Sequence, residues 1–294
     1  MTAFDAILTG LVQGLTEFIP VSSSGHLAVL KFFVPVRDID LSYIVLLHFG
    51  TVIAIFAALY KDIWTLLRDF VKGEKYALNF ALLILISMIP AGIVGFLFDD
   101  ILEELFCEKG LMIGKIPLEP YRLVGLAFIA CAYWVLTPAN NILKARNSLP
   151  PEEKEKADKE LKDLEQMTWK DALWIGLAQA AAVIPGLSRS GSTIYAGLLC
   201  KLKGEAAARF SFLMSIPIIL GAVCKDLLSS EFRARMALSW HSGEGAAAIQ
   251  IIGVLVAAAS GYLAIKLLLR LVKQYDFKPF VVYLWILGLL CIAS

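Results

Sequence analysis

The chain has no cysteine pair at redox or metal-ligand spacing, only three histidines, and no surplus of charge of either sign. Its five cysteines (Cys107, Cys131, Cys200, Cys224 and Cys291) are scattered, odd in number and mostly inside apolar runs. They read as small apolar packing residues, which excludes a disulfide framework or a cysteine-bound zinc. A formal net charge of +1 supplies no basic surface for nucleic acid. The opening MTAFDA has no cationic region and carries Asp5, so no cleaved secretory leader is expected. What the sequence has in excess is hydrophobicity: 59% of its 294 residues are apolar, against roughly half in soluble domains. That excess needs a bilayer to cover it.

Apolar stretches long enough to cross a membrane recur at 42–60, 77–98, 121–137, 210–228, 246–269 and 280–293. Between the third and fourth, residues 144–166 carry charges of alternating sign at helical spacing, which predicts a solvated helix in a connector. Lys61, Arg68, Lys72 and Lys75 place the 60–76 loop in the cytoplasm, with the 144–170 connector, whereas the acidic 99–119 loop falls outside. By the same count 226–244 is external, despite Arg233 and Arg235, and 270–278 internal.

Two further apolar segments, 4–33 and 169–202, are broken in their middles by proline, glycine and serine. Aligned, GLVQGLTEFIPVSSSG (10–25) and GLAQAAAVIPGLSRSG (176–191) share Gly-Leu-x-Gln, then Ile-Pro, then Ser-x-Ser-Gly, with one small gap. Each copy precedes three spans, and the loop charges give the copies opposite orientation. The expected fold is therefore an all-α polytopic membrane protein of about six transmembrane helices plus two re-entrant helical hairpins. It forms one integral domain of inverted-topology halves, about 1–140 and 168–294, joined by a cytoplasmic connector at 141–167. Interrupted helices of this kind place a site near the midplane, because irregular backbone at that depth must line protein or a watery cavity.

The polar residues of the two broken segments are the site candidates. Glu17 lies among Leu15, Phe18 and Ile19, and a carboxylate at membrane depth costs about 2.5–3.5 kcal/mol, so its default reading is functional. Gln13, four residues earlier, shares its helical face and could share a metal or a water. Ser22, Ser23, Ser24 and Gly25 follow Pro20 and offer hydroxyls and backbone donors suited to oxyanions. His26 is the natural proton handler beside them. In the second copy Arg189 stands among Ser188, Ser190 and Thr193; a guanidinium matches phosphate oxygens, though an arginine here could instead pair with Glu17 to hold the hairpins together. His48 and His241 read as structural, and Gln179, the counterpart of Gln13, as a hydrogen bond between hairpins. Pro90 and Pro217 are expected to kink their spans. A carboxylate with a divalent cation, a proton handler and an arginine clamp describe phosphoryl transfer, and membrane depth makes a lipid phosphate the economical substrate.

GLTEFIPVSSSGHL and PGLSRSGST resemble the two signature motifs of the bacterial undecaprenyl-diphosphate phosphatase family, of the bacitracin-resistance type, and the resemblance covers essentially the whole chain. It implies a multi-pass inner-membrane hydrolase that removes the terminal phosphate of undecaprenyl diphosphate to recycle the cell-wall lipid carrier, with a divalent cation (Mg2+ or Ca2+) and a site opening outward. Carried onto this sequence, it implies Glu17, Ser23, His26 and Arg189 as catalytic residues. The acidic motif falls on Gln13 and Glu17, the expected metal ligands, and Ser188 and Thr193 match the arginine motif as diphosphate binders; the reading of the residues themselves adds Ser22, Ser24 and Ser190 to that binding set. The family has Glu or Gln at the first place of its acidic motif; here it is Gln13, which leaves Glu17 as the better ligand. Ser23 and a water both stand as nucleophiles. The partners are the lipid substrate and membrane lipids, with a homodimer as the one protein partner entertained and no nucleic acid. The rival class is a transporter that flips a polyprenyl phosphate, since broken inverted repeats are also a transporter design. A scaffold would leave both polar motifs without purpose.

Overall fold

The computed structural model describes residues 1–34, 41–113, 116–230, 233–234, 237, 245–274 and 277–294. The sequence pattern folds as helices almost throughout. Hairpin one is α1 (Ala3–Phe18) and α2 (Ser23–Phe33); α3 (Leu41–Ala58), α4 (Tyr60–Val71), α5 (Lys75–Glu103), α6 (Pro120–Ala130) and α7 (Thr137–Asn147) follow. After α8 (Pro151–Lys159), hairpin two is α9 (Trp169–Ala181) and α10 (Arg189–Leu199), followed by α11 (Gly204–Leu228), α12 (Ala246–Gln274) and α13 (Lys278–Ala293). Lys75–Phe98, Pro120–Asn147, Gly204–Leu228 and Ala246–Lys273 are each long and apolar enough to span a membrane. The α3–α4 pair is a bent fifth, and α13 is a shorter apolar helix. The chain is an all-α polytopic membrane protein: the bent pair and two spans follow the first hairpin, and two spans and the shorter α13 follow the second.

The packing repeats between the halves. Helix α1 lies against α12, α9 lies against α5, and α6 pairs with α13. The sequence repeat explains the first two contacts. Gly10 and Gly176 are equivalent positions, and a Cβ on either would sit 2.5 Å from a backbone oxygen of the facing helix, Gly253 O and Ser87 O respectively. Small residues let helix backbones approach this closely where no hydrophobic effect drives them together. One turn on, a Cβ at Gly14 would meet Ser260 Oγ at 2.0 Å and Ala257 O at 2.4 Å. Gly14→Val is therefore expected to separate α1 from α12 and destabilise the protein by about 1–3 kcal/mol or more. A fall in Tm in detergent would show it; an unchanged Tm would mean the helices meet elsewhere.

Three loop expectations change. The 60–76 loop is mostly helix: α3 turns by 82° into α4, whose Trp64, Leu67 and Phe70 are exposed on an otherwise charged helix. Its pattern is that of amphipathic helices that lie in a membrane interface, so the segment is more than a loop. The span read as 121–137 continues through a π-helical segment, Cys131–Leu136, to Asn147, so the first residues assigned to the connector extend a transmembrane helix. The solvated helix expected over 144–166 is broken, because Pro150 and Pro151 end one helix and start the next. The 99–119 loop holds the end of α5, a π-helical turn at Glu104–Glu108 and a short antiparallel pair, Leu111–Ile113 with Ile116–Leu118. Pro90 and Pro217 stand inside α5 and α11. His241 lies outside the described residues.

The segments assigned to the cytoplasm do meet at one end of the molecule. Arg209 on α11 bonds Asp62 on α4 at 2.6 Å, and Lys273 on α12 reaches Glu205 at 3.0 Å. The connector joins them through Lys203–Asp163 at 2.5 Å and Lys162–Asp171 at 2.8 Å.

Candidate active site

The two hairpin turns are the points where apolar helices stop. Ile19 is extended, Pro20 removes a donor, and Ser22 takes φ +71 and N-caps α2, accepting from Gly25 N at 3.4 Å. Ser188 does the same for α10, accepting from Gly191 N at 3.1 Å. The turns pack on one another: Gly186 N donates to Ser22 Oγ at 3.2 Å, and a Cβ on Gly25 would sit 2.9 Å from Gly186 Cα. Two helix N-termini, each a source of partial positive charge, thus start from one central contact.

Glu17, 7% exposed at the end of α1, is the hub. Its Oε1 pairs with the Arg189 guanidinium from the opposite hairpin, 172 residues away in sequence. Its Oε2 accepts from Ser23 Oγ at 2.5 Å and from Gln13 Nε2 at 3.1 Å. The sequence-predicted residues Gln13, Glu17, Ser23 and Arg189 are therefore together. The others stand around them. Ser190 donates to Ile19 O at 3.4 Å and shares a 3.1 Å contact with Ser188. Thr193 bonds Arg189 O at 2.8 Å and meets Ser211 Oγ at 2.7 Å. Ser24 is exposed, 3.4 Å from Ser22 Oγ. Ser22 itself is buried and occupied by capping and by the link between the turns.

His26 makes no hydrogen bond to Glu17 or Arg189 among the described residues. Its Nδ1 meets the Ser22 carbonyl at 2.7 Å, and a carbonyl only accepts, so the proton is on Nδ1 and the lone pair on Nε2. Tyr283 of α13 sits 2.7 Å from that Nε2 as the donor, its ring stacked on the imidazole at 5.6 Å. Tyr283 carried no signal in the sequence, being one more aromatic in an apolar span.

His48, read from the sequence as structural, stands beside the site. Its Nδ1 is 2.9 Å from Ile44 O, which again puts the lone pair on Nε2, and Nε2 lies 4.0 Å from Glu17 Oε2. The rule that marked Glu17, an ionisable group inside an apolar run, applied equally to His48 in YIVLLHFG. Gln179 is the second correction: it makes no hydrogen bond between hairpins, and neither atom of its buried carboxamide has a partner among the described residues. Gln13 Oε1 is likewise buried without a partner. Each such orphan costs about 1–3 kcal/mol while nothing satisfies it.

A cation site is best judged from these donors. No group of three or more His, Cys, Asp or Glu side chains able to hold a metal occurs among the described residues. Glu17 Oε2 accepts from Gln13 Nε2 at 3.1 Å and lies 4.0 Å from His48 Nε2, an oxygen and nitrogen neighbourhood from which a divalent ion would draw its ligands.

Fold and site together define a polytopic helical membrane protein whose polar centre is built by two broken helices, with a carboxylate on one and an arginine on the other. Residues 6–290 match the model of the bacitracin resistance protein BacA family, and the chain belongs to that family. It is 36% identical over 292 residues to an undecaprenyl-diphosphatase of Halothermothrix orenii, covering 99% of this chain and 98% of that one. It is also 36% identical over 299 residues to one of Parabacteroides distasonis (100% and 98% covered) and 34% identical over 301 residues to one of Alkaliphilus metalliredigens (98% and 97%).

Proposed function

We propose that this chain is a bacterial inner-membrane hydrolase that converts undecaprenyl diphosphate to undecaprenyl phosphate and inorganic phosphate. The observation that carries it is the Glu17–Arg189 pair, contributed by two hairpins and buried among apolar helices, with a serine hydroxyl on the carboxylate. Arg189 has fork geometry for phosphate oxygens, and the diphosphate competes with Glu17 for it. Arg189 is itself the first residue of α10, so the partial positive charge of that helix start adds to the guanidinium's. Glu17 orients the attacking hydroxyl, that of Ser23 or of a water in its place, and takes its proton as oxygen attacks the terminal phosphorus. The bond from that phosphorus to the bridging oxygen breaks and undecaprenyl phosphate leaves; with water as nucleophile inorganic phosphate forms directly, and with Ser23 a water then hydrolyses the phosphoserine to release it. His26, whose Nε2 lone pair accepts from Tyr283, handles a proton of the reaction only by exchanging that bond for one to the substrate or a water.

Gln13, Glu17 and His48 would hold a divalent cation. When bound, the ion neutralises diphosphate charge and polarises the phosphoryl oxygens. The imidazole broadens the choice beyond Mg2+ and Ca2+ towards Mn2+, Co2+ or Zn2+. His48→Ala is expected to raise the cation concentration for half-maximal activity by about tenfold or more. Mn2+ affinity measured by EPR is the independent readout, and equal affinity in both proteins would remove His48 from the set. Transport of the phosphate lipid needs neither an attacking hydroxyl nor its acceptor. The deciding assay is phosphate release by the purified protein in detergent, with and without chelator. Release that a chelator abolishes supports the hydrolase; no release from folded protein, with flipping in liposomes, would replace it by the transporter.

A further inference from the structure

The two halves differ in how closely one pair of spans packs. Helix α12 closes tightly on α3, where a Cβ at Gly50 would sit 2.6 Å from Val254 O. The matching pair, α5 and α11, is splayed: a Cβ at Gly92 or at Gly221 would meet nothing within 4 Å. The gap is a crevice of about 310 Å³, walled by apolar and small residues such as Met88, Gly92, Pro217 and Gly221, with Gln179 and Arg189 as its polar lining. Towards the α4 end, a second, almost wholly apolar cavity of about 220 Å³ touches the same Pro217.

The sequence repeat explains why Gln179 has no partner. Gln13 has Glu17 four residues later and bonds it; four residues after Gln179 stands Val183. The second hairpin therefore buries a carboxamide, 3% exposed, with donor and acceptor both unused, where the crevice meets the arginine. A crevice with apolar walls, a cation and an unpaired amide is complementary to an apolar chain ending in phosphate. A larger apolar groove of about 610 Å³ near Tyr133, Trp134 and Trp285 has no such polar end.

We propose that the crevice between α5 and α11 is the substrate's chain subsite. It takes the first isoprenoid units of the lipid diphosphate, and the Gln179 amide donates to the phosphate nearest the chain. The proposal rests on the hydrolase reading for the identity of the lipid, while the geometry of the subsite stands apart from the chemistry.

The test is steady-state kinetics of purified protein with undecaprenyl diphosphate. Gln179→Leu removes the donor and is expected to raise KM about tenfold or more with kcat nearly unchanged, the size expected for a lost hydrogen bond to a charged group. The double variant Gly92→Leu, Gly221→Leu puts side chains into open space, so it folds, and fills the crevice; a comparable rise in KM is expected. Wild-type KM in that folded double variant would overturn the proposal. A second measurement needs no turnover: a prenyl diphosphate analogue with a diazirine on its first isoprene unit should label α5 near Met88 or α11 near Pro217. Labelling at Tyr133, Trp134 or Trp285 instead would place the chain in the other groove. If the wild type releases no phosphate, the hydrolase reading fails and the photolabelling alone decides the crevice.

Discussion

Arg189→Lys should lower turnover of undecaprenyl diphosphate by about ten- to a hundredfold, the worth of a hydrogen bond to a charged group, while leaving the fold intact. Lysine keeps the positive charge opposite Glu17, so the ion pair between hairpins survives, but it loses the planar fork that matches two phosphate oxygens at once. Arg189→Ala removes charge and fork together, and a loss of about a thousandfold in kcat is expected, in the range for deleting a group that stabilises transferring phosphoryl charge. The lysine variant separates two roles of one residue. An arginine present only to tie the hairpins together would give near-native turnover as lysine. Phosphate release at saturating lipid, with a melting curve of each variant, makes the distinction.

Glu17→Gln should abolish measurable turnover and also weaken the fold. Glutamine is close to isosteric and keeps one oxygen for Ser23, so the geometry of α1 is retained. It cannot take a proton from an attacking hydroxyl, and it leaves the Arg189 charge without its carboxylate. Removing one partner of a buried pair costs about 3–5 kcal/mol, and the 21% exposure of the arginine side chain brings this case towards the lower figure or below it. The site then carries an uncompensated cation, so millimolar inorganic diphosphate should raise the Tm of the variant more than that of the wild type. Equal shifts would mean that diphosphate does not seat against Arg189. Full turnover in the variant would remove Glu17 from the chemistry.

The sequence by itself determined a good deal. Hydrophobic excess required a bilayer, and two proline-broken copies of one pattern located the hairpins. The cost of burying a carboxylate and a guanidinium marked Glu17 and Arg189 before any packing was known, because such groups persist at membrane depth only when paired or used. The same alignment pairs Gly10 with Gly176, and the structure gives both the same close approach to a facing helix. Each of these signals is local: it depends on what a few neighbouring residues can satisfy among themselves.

What the tertiary structure alone decided depends on which side chains meet across the sequence. His48 looked like a packing residue until α3 set its Nε2 beside Glu17, and Tyr283 was one aromatic among many until α13 brought it to His26. The bend of α3 into an amphipathic α4 depends on which residues face the rest of the protein. Gln13 and Gln179 are the same residue at the same place in the repeat, yet one is bonded and the other orphaned. The difference lies in a carboxylate four residues on and in a crevice that opens only because α5 and α11 do not close as α3 and α12 do. Helix-to-helix distance is set by the sum of side-chain fits over two whole surfaces, so no single stretch of sequence encodes it.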